Sequence, residues 1–239
     1  SGDDTHQFTG SLFISGSSIE LGDGNNNVVL GNNTNFNVKS QYSTFIGYNA
    51  AGGTESTELA GQSITVVGWG AGQDMQQAPH RTTLIGAFAG ANLNVGLDNT
   101  FVGSDAGFTL TGADRNVFIG SSAGYGTVDV DNAVIIGYQA GYANMTSDAD
   151  GTIAIGYQAG KAITSGQRNV VMGYQAGLSM TTMDDTVAIG YGAGDALSTG
   201  TGRNTIIGSG AGSDLTTESQ NVAIGSSALG GATNSANVI

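Results

Sequence analysis

Cysteine is absent, proline occurs once, and lysine and arginine together number six in 239 residues. The missing cysteine removes disulfides, thiolate metal ligands and cysteine nucleophiles together. Six basic residues against 19 acidic ones leave a net charge of −13, which argues against a surface for nucleic acid or anionic membrane. Charged residues make up only 10% and hydrophobic ones 39%, too apolar a balance for a disordered chain. No run approaches the ~20 apolar residues of a membrane-spanning helix. Ser1-Gly2-Asp3-Asp4 lacks the basic and apolar segments of a signal peptide. A single proline and no Gly-X-Y period exclude collagen. Glycine, by contrast, is abundant at 41 residues, more than double its usual share of about 7%. Because glycine weakens a helix interior by about 1 kcal/mol relative to alanine, an acidic all-β protein remains.

The glycines fall in register. Gly31, Gly47, Gly68, Gly86, Gly103, Gly120, Gly137, Gly156, Gly173, Gly190, Gly208 and Gly225 stand 16 to 21 residues apart, most often 17. An alanine follows three residues after every one of these anchors from Gly47 onward. A 17-residue period is too short for a βαβ unit or a propeller blade. It fits one coil of a parallel β-solenoid whose coils stack about 4.8 Å apart, and 11 or 12 coils make a rod of roughly 50–60 Å. Residues 1–24 lack the repeat and read as an N-terminal cap or shaft connection, with the solenoid domain over 25–239. The chain stops at Asn237-Val238-Ile239, the opening of a further repeat, which reads as a longer chain or a processing point.

Three columns precede each anchor. Ile46, Val67, Ile85 and their equivalents stand next to it, with Thr or Val two residues earlier on the same face of the strand. We expect that pair to face the core. The residue between them is also apolar, and a strand covered on both faces reads as continuously apolar. Phe45, Val66, Leu84, Phe101, Phe118, Ile135, Val171 and Ile206 are therefore expected to face outward and to be covered by another copy of the chain. The apolar residues seven after the anchor (Met75, Leu93, Leu110, Ile163, Met180, Leu197, Leu215) are expected to close the core. The Ala after each anchor suits a tight corner, and the Gly that usually follows it a positive φ. Asn99, Asn116, Asn169, Asn204 and Asn221, where coils begin, suit an amide ladder or a left-handed turn.

The phrases NVFIGSSAG, NTIIGSGAGSDLTTESQNVAIG and IAIGYQAGKAITSGQRNVVMGYQAG resemble repeats of tailed-phage tail fibres, of the kind found upstream of chaperone-of-endosialidase domains. The AIG coils are also similar to the heads of trimeric autotransporter adhesins, whose repeat is shorter. The resemblance covers residues 28–239 and implies a homotrimeric, non-enzymatic fibre segment. It would sit on a virion with other tail-fibre or baseplate proteins and could contact a host glycan or protein. The alternative settings are a trimeric bacterial surface adhesin and, from the fold alone, an ice-binding solenoid.

Chemistry is sparse. His6 and His80 stand far apart, and no nucleophile motif or metal spacing occurs, so no catalytic, cofactor or metal residue is assigned. Paired acids such as Asp184-Asp185 could serve a glycosidase only if brought together across coils. The turns Asp129-Val130-Asp131-Asn132 and Asp148-Ala149-Asp150-Gly151 offer oxygen ligands for calcium, though solvated turns suit them better. Tyr48, Trp69, Tyr138, Tyr157, Tyr174 and Tyr191 follow anchors directly and form either a sugar-stacking stripe or a stacking ladder. Arg115, Arg168 and Arg203 are expected to neutralise acidic neighbours. Thr111, Thr164, Thr181, Ser198, Thr216 and Thr233 make the interrupted hydroxyl line that suggests ice. Insertions after Gly52, in the Gln73–Arg81 loop and at 146–150 are where a rigid solenoid would carry recognition. Trp69, Asp74, Gln76, Gln77, His80 and Arg81 are the receptor-contact candidates.

Overall fold

The structure, a computed structural model, describes residues 27–31, 34, 40–52, 61–75 and 79–231. The segment expected to form a cap, 1–24, lies outside them. Each coil contributes one three-residue strand. The first six are β1 (Val28–Leu30), β2 (Thr44–Ile46), β3 (Thr65–Val67), β4 (Thr83–Ile85), β5 (Thr100–Val102) and β6 (Val117–Ile119). The rest are β7 (Val134–Ile136), β8 (Ile153–Ile155), β9 (Val170–Met172), β10 (Val187–Ile189), β11 (Thr205–Ile207) and β12 (Val222–Ile224). All twelve form one parallel sheet in sequence order, each strand in direct register with the next. The protein is an all-β solenoid of about 11 turns and about 17 residues per coil. Its only helical piece among the described residues is a 3₁₀ turn, Ser147–Ala149, in the 19-residue coil.

The strands are short because left-handed backbone brackets them. A residue at φ of about 50–65° precedes most strands by two positions, and the anchor glycine ends each strand at φ between 124° and 159°. The anchors also need their missing side chain. A Cβ on Gly137 would lie 2.4 Å from the Gly156 carbonyl oxygen, and one on Gly173 2.3 Å from that of Gly190. Each anchor N–H from Gly47 to Gly225 meanwhile donates to the carbonyl just before the previous anchor, at 2.7–2.8 Å. The glycine four after the anchor is left-handed as expected, as at Gly107 (φ 61°) and Gly124 (φ 61°), where the phenyl rings of Phe101 and Phe118 lie against it.

The two strand faces are the reverse of those expected. Phe45, Val66, Leu84, Phe101, Phe118, Ile135, Val171 and Ile206 are buried, at 0–1% exposure, inside the coil of their own chain. The flanking columns, such as Thr44 and Ile46 or Val117 and Ile119, face outward. The eight therefore cannot form a surface between copies. Side-chain parity gives the reason. The Asn column lies two residues before the middle of the strand, on the same side, and Asn99, Asn116, Asn169, Asn204 and Asn221 are all buried. Their amides link coils: Asn116 Nδ2 donates to Asn99 Oδ1 at 3.2 Å, and Asn221 Nδ2 to Asn204 Oδ1 at 3.1 Å. A ladder of that kind is strongest out of water, so the middle residue goes inward with it. The core is completed by the corner alanines and by Met75, Leu93, Leu110, Ile163, Met180, Leu197 and Leu215, as expected. Where the middle residue is Phe, two stack directly, Phe101 on Phe118 at 4.9 Å.

This assignment makes a distinction that denaturation can measure. Phe118→Ala should destabilise the protomer by about 3–5 kcal/mol, independently of protein concentration. Ile119→Thr, one residue away but outward, should change the protomer's urea midpoint little. Equal effects would contradict the inward placement of Phe118.

Candidate functional site

With the middle column inside, the outer face of the sheet is a ribbon of two columns running the whole rod. One is Thr or an aliphatic residue at the strand start, the other Ile, Val, Leu or Met at its end. Neither column contains a charge. Leu30, Ile85, Ile119, Met172 and Ile224 are among its exposed members. Beside them, just past the anchors, stand Tyr48, Trp69, Tyr138, Tyr157, Tyr174 and Tyr191, each 40–64% exposed.

These tyrosines stack on one another. Tyr138, Tyr157, Tyr174 and Tyr191 have successive ring centroids 5.6, 4.8 and 5.2 Å apart, with planes within 15°. The inner rungs thus spend both faces on neighbours and show the solvent only edges and hydroxyls. The sugar-stacking expectation, which needs free ring faces, does not fit Tyr157 or Tyr174. Their coils are tied further by a side-chain amide ladder, Gln158 Nε2 donating to Gln139 Oε1 at 2.9 Å and Gln175 Nε2 to Gln158 Oε1 at 3.0 Å. A second aromatic ladder runs through Trp69, Phe88, Phe108, Tyr125 and Tyr142 at 4.7–6.2 Å. It ends with Lys161 Nζ 5.7 Å over the Tyr142 ring. Nothing in the single-column pattern of the sequence pointed to it, because its members change position within the repeat.

The receptor-contact candidates do not assemble as a group. Gln76 and Gln77 lie outside the described residues. His80 Nδ1 accepts the backbone N–H of Gln62 at 3.1 Å, joining two coils. Arg81 makes a bidentate pair with Asp98, at 2.5 and 2.8 Å. Trp69 rests tilted on Phe88, with 57% of its surface exposed. Asp74 is exposed. Of the four described, Trp69 and Asp74 are the two whose side chains are uncommitted to another coil by hydrogen bond or ion pair.

Arg81 and Asp98 belong to a rail that the sequence reading caught only in part. The left-handed residue before successive coils is Arg81, Asp98, Arg115, Asn132, Gly151, Arg168, Asp185, Arg203 and Gln220, so opposite charges meet one coil apart. Arg168 Nε reaches Asp185 Oδ1 at 2.6 Å, and Arg115 reaches Asn132 at 2.7 Å and Asp131 at 3.4 Å. For Arg203 the structure gives a backbone bond, its N–H donating to the Asp184 carbonyl at 2.8 Å. The hydrogen bonds from Arg81 and Arg168 hold the Asp98 and Asp185 carboxyls below the usual carboxylate range.

The acidic turns also serve the stack. Asp114, Asp131, Asp150 and Asp184 each accept, through Oδ1, a backbone N–H of the preceding coil at 2.7–2.9 Å. Asp114, Asp129 and Asp131 line a shallow cavity of about 360 Å³, but no three His, Cys, Asp or Glu side chains among the described residues are grouped to hold a metal ion. The hydroxyls of Thr164, Thr181 and Ser198 donate to carbonyls of the next coil at 2.9–3.2 Å, which commits that line to coil stacking; Thr233 lies outside the described residues. Comparison with protein-family models, curated proteins and solved structures finds no match.

Two carboxyls make opposite pH predictions. Asp98 has a folded pKa below its unfolded value, so its contribution is present above about pH 4 and lost as pH falls through the lowered value. Asp98→Asn should lower Tm at pH 6 and converge with the parent near pH 2. Burial pushes the Asp195 carboxyl up, aided by Asp214, and its buried Oδ1 has no hydrogen-bond partner. Asp195→Asn should therefore raise Tm at neutral pH, with the gain shrinking as the parent protonates in acid.

Proposed function

We propose that this chain is the rigid rod of a homotrimeric fibre on a tailed-phage virion, a non-enzymatic spacer that carries contact with a host-surface glycan or protein. The observation that carries the reading is the outer ribbon. One face of every strand is closed by its own coil, and the other is uncharged and largely apolar from Leu30 to Ile224. A bare apolar strip of this length is an aggregation hazard on a single copy. A sister chain covers it best, because its ribbon has the same coil spacing and brings no charge to it. The likeness of the repeats to tail-fibre segments supports the virion setting. Mechanically, stability that adds coil by coil suits a spacer, and three parallel copies let weak contacts at Asp74 sum through effective concentration.

Light scattering behind a sizing column tests the reading. The expected mass is close to three times 23.9 kDa, and Ile155→Asp, which plants a charge in the ribbon, should reduce it while the circular dichroism spectrum is kept. A monodisperse single copy at micromolar concentration would overturn the trimeric rod.

One observation favours a second reading. Thr44, Thr65, Thr83 and Thr100 form an outward line on β2–β5, one coil spacing apart, and no group among the described residues bonds their hydroxyls. A flat, regular array of methyl and hydroxyl groups on a single copy suits ordered water. Thermal hysteresis at millimolar protein, abolished by Thr83→Asp, is the outcome this ice-binding reading requires.

A further inference from the structure

The ribbon changes character along the rod. Its first column is threonine from β2 to β5, then Val117, Val134, Ile153, Val170 and Val187 from β6 to β10. The position just past the anchor changes as well. It holds Tyr48 and Trp69 after β2 and β3, Ala87, Ser104 and Ser121 after β4–β6, tyrosine after each of β7–β10, and Ser209 and Ser226 after β11 and β12. Across β7–β10 every outward position is therefore aliphatic, methionine or tyrosine, three columns wide.

Resting on the oligomeric reading above, we infer that the contact between copies is anchored in β7–β10, centred on Tyr157 and Tyr174 beside Ile155 and Met172. The coils of β4 and β5, with threonine in the first column and Ala87 and Ser104 past the anchor, lie in the same interface but contribute little to its affinity.

Three features support a sister chain as occupant and this stretch as its anchor. The whole ribbon, roughly 50 Å by 13 Å, offers about 650 Å² per copy, near the ~800 Å² that a specific interface takes from each partner. Only a partner of identical period stays in phase with the rungs along that length. Within an interface of this size, a few aromatic and well-packed residues carry most of the affinity. The stacked tyrosines are already fixed in the free protomer, with rings 4.8–5.6 Å apart and nearly parallel. They lose little side-chain freedom on association, which is the condition for a strong anchor. The threonine hydroxyls, unbonded among the described residues, must instead give up water, and that offsets what their methyl groups gain.

The fold supplies a mild way to test this, since serine already occupies the tyrosine position in the coils of β5 and β6. Full-length Tyr157→Ser/Tyr174→Ser and Ile85→Ala/Val102→Ala are compared with the parent by dilution in analytical ultracentrifugation, with thermal melts reporting on the fold. Met172 gives a second readout. It is the one outward methionine, while Met75, Met145, Met180 and Met183 are buried, so peroxide oxidation at Met172 reports whether the ribbon is covered. The tyrosine pair is expected to weaken association at least about 30-fold and to open Met172 to peroxide. The Ile85/Val102 pair should stay within about threefold of the parent. Equal weakening by both pairs, or no weakening by the tyrosine pair, overturns the anchor and leaves the oligomeric rod standing. A parent that is itself a single copy overturns the rod as well.

Discussion

Every other feature of this molecule depends on the close seating of one anchor glycine upon the next. The coil spacing places the carbonyl of each anchor where a Cβ of the one before would be, and each anchor N–H hydrogen-bonds back to the previous coil. Any side chain in that column would push two backbones apart and break the adjoining rungs. Because the seating is repeated eleven times without a slip in register, residues at equal positions in the repeat become columns. Asn, Gln, Tyr, Phe and the Arg/Asp rail then interact as ladders. The charge alternation of Arg81, Asp98 and Arg115 makes sense only one coil apart, since in sequence these residues are 17 positions from one another.

Stacking of this kind leaves the molecule with little chemistry and much surface. Several acidic side chains that sequence spacing offers as calcium ligands or a catalytic pair are committed to neighbouring coils. Asp131, Asp150 and Asp184 accept backbone N–H groups, and Asp185 pairs with Arg168. His80 is likewise held as an acceptor for Gln62. Among the described residues the outer ribbon with its tyrosine edges, Trp69 and Asp74 stay uncommitted to other coils by hydrogen bond or ion pair, and these are groups suited to contact. The proposal of a fibre rod rests on that balance.

The face reversal shows where sequence reasoning stops. Alternation assigns the residues flanking Phe118 to one side of the strand and Phe118 to the other, but both sets are apolar, so hydrophobicity cannot say which set is inside. The informative residue was Asn116, two positions before Phe118. Its amide bonds to Asn99 and to the Val130 carbonyl in the buried interior, and parity carries Phe118 in with it. Size was a second clue. The inward column ranges from Phe118 to Ala154 and Ala188, matched to whatever faces it across the core, whereas the outward column at Ile119, Ile136 and Ile155 is nearly uniform. A filled interior needs variation of that sort, and a surface repeated along a rod does not.

The sequence by itself determined the architecture: a glycine every 17 residues or so, an alanine three later, and a buried Leu, Ile or Met seven later admit a parallel solenoid and little else. It also placed the corners and the amide ladder, because the groups that define them are few and keep fixed positions in the repeat. Only the tertiary structure decided which strand face is exposed, which aromatics stack, and which charged residues are occupied. Those outcomes depend on contacts between residues one coil apart, and the spacing between coils is set by backbone hydrogen bonding rather than by any side chain that the sequence displays.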